Sequence, residues 1–429
     1  MRVTIIGGGG FRTPLICRQL AASSLPVTEV VLHDICGPRL DVMASVLVGD
    51  DLPLTTTTDL DGALDGAALV FCTPRVGGLD GRVADERAAL DLGLIGQETV
   101  GAGGLLYAAR AVPTADVVAR RIAAIANAAW VITMTNPAGI VTEAMAATLG
   151  PRVIGVCDSP HGLVLRTCAA LDVDPSEVEV DYVGLNHLGW LRRLMLDGAD
   201  MLPALVADPA RLARVEEARL FGLDLVRALG TLPNEYLYWY YAEREAMRGI
   251  VAAGRTRAEH VRDQQREFYR AAAADPSQAA ELWATANAER NGSYLAEIRP
   301  AERSAADIAT GGYETIAIAL AQMLTGHGAG RLILNVPGGG TVDGLPPDAV
   351  IETVCHVDAH GAVPLSVRPA SEHELGLMCL VKSCERAVIA AARTGSQDAM
   401  LRAFALHPLV GSLHAARELS VAALAGVPV

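Results

Sequence analysis

A chain of 429 residues is too long for one ordinary hydrophobic core, and this length predicts two domains or one large α/β unit with a second lobe. Hydrophobic residues make up 51% and charged residues 20%, a composition that belongs to a globular protein and excludes a disordered one. The formal net charge of −14 disfavours long-range attraction to nucleic acid or to an anionic membrane surface, so we expect neither as a partner.

Cysteine usage and the first residues of the chain predict a cellular compartment. The 8 cysteines are scattered singly, without the dense spacing of a disulfide scaffold or a CxxC pair. Met1 leads at once into the apolar segment 3–6, without the basic and apolar regions of a signal peptide, and no uncharged apolar run reaches the length of a membrane span. We therefore expect reduced thiols and a cytoplasmic protein.

Apolar strands and helices alternate through the first third of the chain. The pattern predicts strands at 3–6, 29–33, 68–72, 130–133 and 153–156, and helices at 14–22 and 115–128. Such alternation assembles as right-handed βαβ units on a parallel sheet. The predicted fold class is therefore α/β, with a Rossmann-type domain at residues 1–156 followed by an α+β domain at 157–429 and the site in the crevice between them.

The second half of the chain has longer helices, predicted at 209–228, 256–274 and 375–393. The segments 331–336 and 349–357 have the pattern of strands and are assigned to a second sheet. An aromatic cluster at 232–241 lies between the helices, and packing is the default role for any one of its tyrosines.

A glycine turn joins the first strand to the first helix. Gly7, Gly8 and Gly9 let backbone N–H groups approach a pyrophosphate at the helix N-terminus, although Arg12 stands at the third glycine position and the strict fingerprint fails. Asp34 ends the second strand, where an acid binds ribose hydroxyls and repels a 2′-phosphate. The pattern predicts NAD rather than NADP; the alternative is a glycine turn with an unrelated Asp.

Three polar segments, 75–87, 96–104 and 135–139, follow or separate the strands of this sheet. Each alone is equally typical of a surface loop, but glycine-rich loops bearing Arg, Glu and Asn at one sheet edge together favour a ligand site.

At the same edge, Cys157 and Asp158 follow the strand 153–156, and His187 comes 30 residues after Cys157. A thiolate and an imidazole are ligands for a divalent metal, but this spacing matches no compact metal signature, so burial without metal stays open.

In chain order, the motifs resemble one family over nearly the whole chain: the NAD- and metal-dependent glycoside hydrolases of family 4, and within it the 6-phospho-β-glucosidases. The motifs that carry the resemblance are Gly7-Gly8-Gly9, 75–79, Arg82 with Asp85-Glu86, 96–99, 135–138, Cys157-Asp158, 184–187, 232–234 with Tyr236, and 335–337. The resemblance implies a fold similar to that of lactate and malate dehydrogenases, assembled as a homodimer or homotetramer.

The resemblance also implies residue roles. Cys157 and His187 are expected to ligate a divalent metal, usually manganese, with Tyr236 as catalytic base and Asp158 as acid. The expected substrate contacts are Arg82, Glu98, Asn136, Asn186 and Arg257. The expected cofactor contacts are Gly7, Gly8, Gly9, Asp34 and Arg75.

The chemistry implied by the resemblance begins with hydride transfer from C3 of the sugar to NAD⁺. Tyr236 then removes the acidified C2 proton, the aglycone leaves C1, water adds, and the hydride returns. NAD is regenerated in each turnover, so the net reaction is hydrolysis of a phosphorylated disaccharide or glucoside.

The anomeric specificity stays open in the sequence. Asp158 follows Cys157 as in the α-specific members, whereas the segments 75–79 and 184–190 resemble the β branch. We predict a 6-phospho-β-glucosidase, with a 6-phospho-α-glucosidase or a glycosidase for unphosphorylated sugars as the alternative. Two other classes are a 2-hydroxy acid dehydrogenase of the same fold, in which Cys157 and Tyr236 would have no role, and a non-catalytic sugar-phosphate or NAD sensor.

Overall fold

The computed structural model describes residues 1–299, 303, 307 and 312–426, and within these residues thirteen strands form one mixed sheet. The strands are β1 Arg2–Ile6, β2 Glu29–His33, β3 Leu54–Thr57, β4 Ala67–Cys72, β5 Trp130–Thr133, β6 Val153–Gly155, β7 Glu179–Leu185, β8 Leu188–Leu196, β9 Ala199–Asp200, β10 Leu232–Pro233, β11 Gly330–Pro337, β12 Val350–Asp358 and β13 Gly361–Pro364.

Nineteen α-helices within the described residues surround the sheet. They are α1 Thr13–Ala22, α2 Gly37–Val46, α3 Leu60–Leu64, α4 Gly78–Asp91, α5 Gly101–Ile125, α6 Ala138–Leu149, α7 Ser159–Leu171, α8 Leu202–Ala207, α9 Pro209–Leu212, α10 Glu216–Phe221, α11 Leu223–Leu229, α12 Tyr238–Tyr241, α13 Glu243–Ala252, α14 Arg257–Ala274, α15 Ala279–Gly292, α16 Tyr313–Leu324, α17 Glu372–Thr394, α18 Gln397–Ala405 and α19 Leu413–Ala425. In the part of the chain described here, none of them has both the length and the apolarity to cross a membrane.

The first six strands are parallel and lie in the order β3-β2-β1-β4-β5-β6. This is the Rossmann order, and it confirms the predicted α/β class. Alternate side chains of these strands enter two cores: Leu69 and Phe71 of β4 pack on one face, and Val70 and Cys72 pack on the other. Because both faces are covered by helices, the strands are near-continuous apolar runs.

The two strands predicted at 331–336 and 349–357 exist as β11 and β12, but their assignment to a second sheet is wrong. Asn335 of β11 pairs with Gly155 of β6, so the antiparallel half continues the parallel half. A periodic pattern of apolar residues indicates that a strand is buried, but it does not indicate which other strand pairs with it. The division of the chain at residue 156 stays a prediction, since the sheet runs across it.

The predicted helix at 209–228 is wrong, because three short helices, α9, α10 and α11, occupy that segment. Gly222 has a φ of 87°, in the left-handed region that glycine favours, and it separates α10 from α11. The helices predicted at 256–274 and 375–393 are confirmed as α14 and α17. Thr256 caps α14 through a capping box with Glu259, which is why that helix begins where it does.

The glycine-rich segment 96–104 is not wholly a loop, because α5 begins at Gly101 and therefore starts well before the predicted residue 115. The glycines allow the first turn of α5 to press against the preceding segment. A Cβ on Gly103 would lie 2.1 Å from the carbonyl oxygen of Gln97, and one on Gly104 would lie 2.6 Å from Thr99. Close approach of two backbones thus requires glycine at both positions.

We expect Gly103→Ala to destabilise the protein by about 1–3 kcal/mol, the usual range for an overpacked site, because the added methyl meets backbone rather than a flexible side chain. Gly376→Ala is the matched control. Gly376 lies inside α17 with nothing within 4 Å of the added methyl, so alanine is expected to stabilise the helix by about 0.5–1 kcal/mol. Urea unfolding of both variants measures the difference, and equal stabilities would contradict the role of Gly103.

Candidate active site

A cavity of about 870 Å³ lies at the carboxyl ends of the parallel strands, where open α/β sheets bind ligands. Most of the residues predicted for the site line it: Gly7, Asp34, Arg75, Arg82, Glu98, Asn136, Asp158, Tyr236 and Arg257. The predicted residues that do not line the cavity are Gly8, Gly9, Cys157, Asn186 and His187. The sequence therefore brings most of the predicted residues to one place, and the two expected metal ligands are buried next to it.

The glycine turn after β1 is held by β2. The N–H groups of Gly7 and Gly8 donate to the carbonyl of His33 at 2.9 and 2.8 Å, and that of Gly9 donates to Asp34 Oδ2 at 3.1 Å. A Cβ on Gly8 would lie 2.7 Å from Leu32 Cβ. These three N–H groups hydrogen-bond within the protein, and the cofactor contacts predicted for Gly8 and Gly9 stay predictions.

Asp34 is fixed at the wall of the cavity in a position that fits a dinucleotide. Its other oxygen, Oδ1, accepts a hydrogen bond from the Cys36 N–H at 3.0 Å. Ile35, between the two residues, lines the cavity and is 92% exposed. An apolar face beside a carboxylate suits an adenine ring next to ribose hydroxyls, so this end of the cavity has the chemistry that NAD requires.

His187 has one ring nitrogen bonded and the other without a partner. It occupies the tip of the two-residue turn between β7 and β8, with a φ of 62° that few non-glycine residues adopt. Its Nδ1 lies 2.8 Å from Thr99 Oγ1, and that hydroxyl lies 3.2 Å from Gln97 Oε1. Since the hydroxyl has one hydrogen and Gln97 Oε1 only accepts, we assign the His187 proton to Nδ1.

The lone pair of His187 is therefore on Nε2, which is buried and has no hydrogen-bond partner among the described residues. A neutral imidazole with a fixed second nitrogen is the form that ligates metals. Burial lowers the pKa of His187 to about 3, which keeps the ring neutral. The orphaned nitrogen is thus what a metal site requires.

Cys157 is the second expected ligand and is 1% exposed. Its Sγ lies 3.9 Å from the Tyr313 hydroxyl, and burial raises the pKa of the thiol well above its ordinary value. A thiolate at this place needs a cation beside it. The described residues contain no group of three or more His, Cys, Asp and Glu that could hold an ion, so ligation of a metal by Cys157 and His187 stays a prediction.

Tyr236 covers His187. The two rings are stacked with centroids 3.6 Å apart and planes 3° from parallel, and the Tyr236 hydroxyl accepts a hydrogen bond from the Tyr294 hydroxyl at 2.9 Å. Burial, followed by the charge of Glu235, raises the pKa of Tyr236 well above its ordinary value. The phenol thus lies between the cavity and His187, and it requires a nearby cation to lose its proton.

Glu352 is a buried carboxylate that the sequence analysis missed. It is 0% exposed and accepts hydrogen bonds from Tyr182 Oη at 3.0 Å, Asn186 Nδ2 at 3.1 Å and Asn335 Nδ2 at 2.9 Å. Burial raises its pKa to about 7. The Asn186 amide, predicted to contact substrate, is therefore engaged with Glu352, and the bond ties the His187 turn to β12. The sequence feature that could have identified Glu352 is its position as the single acid inside the apolar segment 350–355.

Arg82 and Glu98 form the centre of a charged wall. Arg82 Nε donates to Glu86 Oε1 at 2.7 Å, and its Nη1 lies 2.8 Å from Glu98 Oε2. Arg75 pairs with the other oxygen of Glu98. Burial alone would raise the pKa of Glu98, but Arg75 and Arg82 together lower it to about 2. Glu98 is therefore a fixed anion that aligns two guanidinium groups.

Arg257 and Arg290 line the same wall, and neither makes an ion pair within the described residues. Arg257 donates to Ser293 Oγ at 2.7 Å and to the Arg290 carbonyl at 2.8 Å, while the Arg290 guanidinium lies 5.8 Å from the Phe11 ring centroid. Burial and then the neighbouring arginines lower the pKa of Arg290. Two half-buried guanidinium groups that make no ion pair form a candidate anion site, which we call the anion site. Arg290 was missed because a lone Arg in a polar helix has no sequence signal.

Asp158 faces the cavity at the end of β6. Burial raises its pKa, against the opposing charge of Arg12. Arg12 itself lies over the Tyr313 ring at 4.5 Å from the centroid. The raised pKa favours the protonated carboxyl that the acid role predicted for Asp158 requires.

Fold and site together define an α/β protein with a glycine turn after its first strand and a polar cavity at the carboxyl ends of its parallel strands. The family model described as "Family 4 glycosyl hydrolase" matches residues 2–173, and that described as "Family 4 glycosyl hydrolase C-terminal domain" matches residues 182–410. The chain belongs to family 4 of the glycosyl hydrolases, and the predicted family is confirmed.

Relatives from both branches of the family are similar to the chain over most of their length. The 6-phospho-beta-glucosidase of Escherichia coli (strain K12) is 29% identical over 434 residues, which cover 96% of this chain and 92% of that protein. The Thermotoga maritima 6-phospho-beta glucosidase, solved with manganese, NAD+ and glucose-6-phosphate, has a TM-score of 0.82 at 26% identity, covering 99% and 98% of the two chains. A 6-phospho-alpha-glucosidase from gut microorganisms, solved with NAD and Mn2+, has a TM-score of 0.81 at 25% identity, covering 99% and 97%.

We expect Thr99→Val to weaken Mn²⁺ binding by about 10- to 100-fold, the usual effect of removing the partner that orients a histidine ligand. Valine keeps the shape of threonine but cannot accept the Nδ1–H bond, so the imidazole loses its fixed tautomer. Titration of the protein with Mn²⁺ measures the affinity directly. Thr285→Val, on the exposed side of α15, is the matched control. An unchanged affinity in Thr99→Val would contradict ligation through Nε2.

Proposed function

We propose that the protein is a 6-phospho-β-glucosidase that hydrolyses phosphorylated β-glucosides by NAD-dependent oxidation, elimination, addition and reduction, with a divalent metal. The observation that carries this proposal is a pair of half-buried arginines that make no ion pair within the described residues, Arg257 and Arg290, in the same cavity as the Tyr236 phenol. The names of the Escherichia coli and Thermotoga maritima relatives support the β-linked, phosphorylated substrate.

The site residues fit both cofactors. Asp34 would hold the ribose of NAD, with Arg75 nearby, and Cys157 with His187 Nε2 would hold the metal. When bound, the two cofactors would supply a hydride acceptor for C3 of the sugar and a Lewis acid for its oxygens. The membership of a glycosyl hydrolase family disfavours the dehydrogenase and sensor alternatives.

The protein's own groups would then act at stated atoms. Arg257 and Arg290 bind the 6-phosphate, while Glu98 holds Arg82 beside the sugar. Asn136 Oδ1 is buried and has no hydrogen-bond partner within the described residues, so it is available to accept from a sugar hydroxyl. Tyr236 removes the C2 proton.

Asp158 donates a proton to the leaving-group oxygen. Because this acid is typical of the α branch, the 6-phospho-α-glucosidase stays the second candidate, and the gut relative solved with NAD and Mn2+ supports it. We also propose a homodimer or homotetramer that acts in the cytoplasm, as the family resemblance implies.

The function is tested with α- and β-nitrophenyl glucoside 6-phosphates and their unphosphorylated analogues, with NAD⁺ and Mn²⁺ added or withheld. We expect cleavage of the phosphorylated β compound alone, in the presence of both cofactors. The rate of nitrophenol release is the measurement. Preference for the α compound would favour the second candidate, and cleavage only of unphosphorylated compounds would contradict the role of Arg257 and Arg290.

Tyr236→Phe tests the base. The variant lacks the phenol hydroxyl but keeps the ring that covers His187, so NAD⁺ and Mn²⁺ affinities should be unchanged. Exchange of the C2 proton with solvent deuterium, followed by NMR, should slow by about 10²-fold or more, the usual loss for a general base. Tyr240→Phe, in the neighbouring helix α12, is the control. An unchanged exchange rate would remove the role proposed for Tyr236.

A further inference from the structure

A second group of charged side chains meets the cavity at Tyr294. Tyr294 donates its hydroxyl hydrogen to Tyr236, and the guanidinium groups of Arg299 and Arg303 lie 5.4 and 5.6 Å from its ring centroid. The neighbouring Ser293 accepts from Arg257 of the anion site. Tyr294 therefore stands between the anion site and a different set of charges. We call this set the leaving-group compartment, formed by Ser159, Glu216, Glu235, Tyr294 and Arg299.

The charges in and around the leaving-group compartment balance, unlike those of the anion site. Glu216 pairs with Arg299 at 2.8 Å and with Arg303 at 3.0 Å, and Glu217 pairs with Arg166. Three arginines therefore face three glutamates: Arg166, Arg299, Arg303, Glu216, Glu217 and Glu235. A neutral set of this kind disfavours a ligand with a net charge, because the ligand's charge would be buried without a counterion.

Three atoms of the compartment are buried and have no hydrogen-bond partner among the described residues: Glu235 Oε2, Arg299 Nε and Arg299 Nη1, the last of which lies in the ion pair with Glu216. Glu235 is 7% exposed, and the Arg299 side chain is 8% exposed. Both residues line the cavity. The other oxygen of Glu235 is fixed, because Ser159 Oγ donates to it at 2.6 Å. A buried polar atom is almost always bonded, so a free acceptor and a free donor at one cavity wall indicate a ligand.

The chemistry of the free atoms identifies the class of ligand. A sugar hydroxyl donates one hydrogen bond and accepts others, so neighbouring hydroxyls satisfy a carboxylate oxygen and a guanidinium N–H together. An aryl group satisfies neither. Glu235 and the proposed base Tyr236 line the same cavity, and the charge of Glu235 acts on the Tyr236 phenol, so the two side chains lie near each other.

We propose that Glu235 and Arg299 bind the hydroxyl groups of the leaving group, so that the protein prefers a neutral sugar to an aryl group at that position. This inference rests on the proposed glycosidase function and names the class of its substrate. The anion site takes the phosphorylated glucosyl unit, and the leaving-group compartment takes the second sugar of a phosphorylated disaccharide.

The test compares a β-linked glucose disaccharide, phosphorylated at C6 of its non-reducing unit, with nitrophenyl β-glucoside 6-phosphate, in the presence of NAD⁺ and Mn²⁺. Glu235→Gln and Arg299→Lys each remove at least one of the free atoms and keep most of the side chain. We expect each variant to lower the ratio of kcat/KM for the disaccharide to kcat/KM for the aryl substrate by roughly ten- to hundredfold, the effect of one hydrogen bond to a charged group. The ratio is the measure because Glu235→Gln also removes a charge that acts on Tyr236, and that effect is common to both substrates.

Arg303→Lys is the matched control, because Arg303 belongs to the same set of ion pairs but its Nε is bonded to Glu216. It should change kcat/KM for both substrates in the same proportion. Thermal unfolding checks that each variant folds. If one does not, Ser159→Ala replaces it: this change loosens the Glu235 carboxylate and should also lower kcat/KM for the disaccharide alone, by roughly threefold or more.

Equal losses for both substrates would mean that Glu235 and Arg299 act only through Tyr236 or through the packing of the site, and would overturn the inference. Unchanged kinetics for both substrates would overturn it as well. If the unaltered protein cleaved neither substrate, the proposed function itself would fail, and the inference with it. Cleavage of both substrates by the unaltered protein with equal losses in the variants would overturn only the inference.

Discussion

The contact between the first turn of α5 and the segment before it is the constraint on which the site depends. Gly103 has no side chain, so the helix presses directly on the backbone of Gln97. Gln97 Oε1 in turn accepts from the N–H groups of Thr99 and Val100, at 2.6 and 2.8 Å, and so fixes the Thr99 hydroxyl. That hydroxyl holds His187 Nδ1. The start of α5 thereby sets the tautomer of His187, which lies 84 residues after Gly103 in the chain.

A second constraint acts on His187 from the other side. Glu352 binds the Asn186 amide next to it and the Asn335 amide of the adjacent strand, so the turn that carries the histidine is tied to the continuous sheet. The unusual φ of His187 persists because these bonds and the stacked ring of Tyr236 surround it. A site that is fixed from several directions needs little rearrangement when it binds an ion.

The apolar periodicity of the sequence was sufficient to predict the parallel half of the sheet, but it was not sufficient to predict the rest of the fold. Strands β1 to β6 alternate with helices, and this pattern permits few arrangements. The neighbour of β11 could not be predicted in this way. The pairing of β11 with β6 depends on contacts between segments that are distant in the sequence. The break of the predicted helix at 209–228 depends on the positive φ of Gly222, and a glycine within an apolar period is often tolerated in a helix.

The same limit applies to the site. Residues in ordered motifs, such as Arg82 and Asn136, could be predicted because several motifs together identify a family. The sequence could not predict site roles for three other residues: Arg290, Tyr294 and Glu352. Each stands alone in its segment, and its role depends on a partner that is far away in the sequence. The position of Arg290 at the cavity wall without an ion pair is a property of the folded chain, and the sequence around Arg290 does not indicate it.

The burial of Tyr236 explains why its chemistry is confined to a complete complex. A phenol whose pKa is raised by burial and by Glu235 stays protonated, and in that state it removes no proton from a sugar. A positive charge next to the stacked His187 would oppose this shift. The ring proposed as the base stacks on the ring proposed as a metal ligand, so the two side chains form one unit. In the proposed mechanism Tyr236 would therefore stay protonated until a cation is in place beside it.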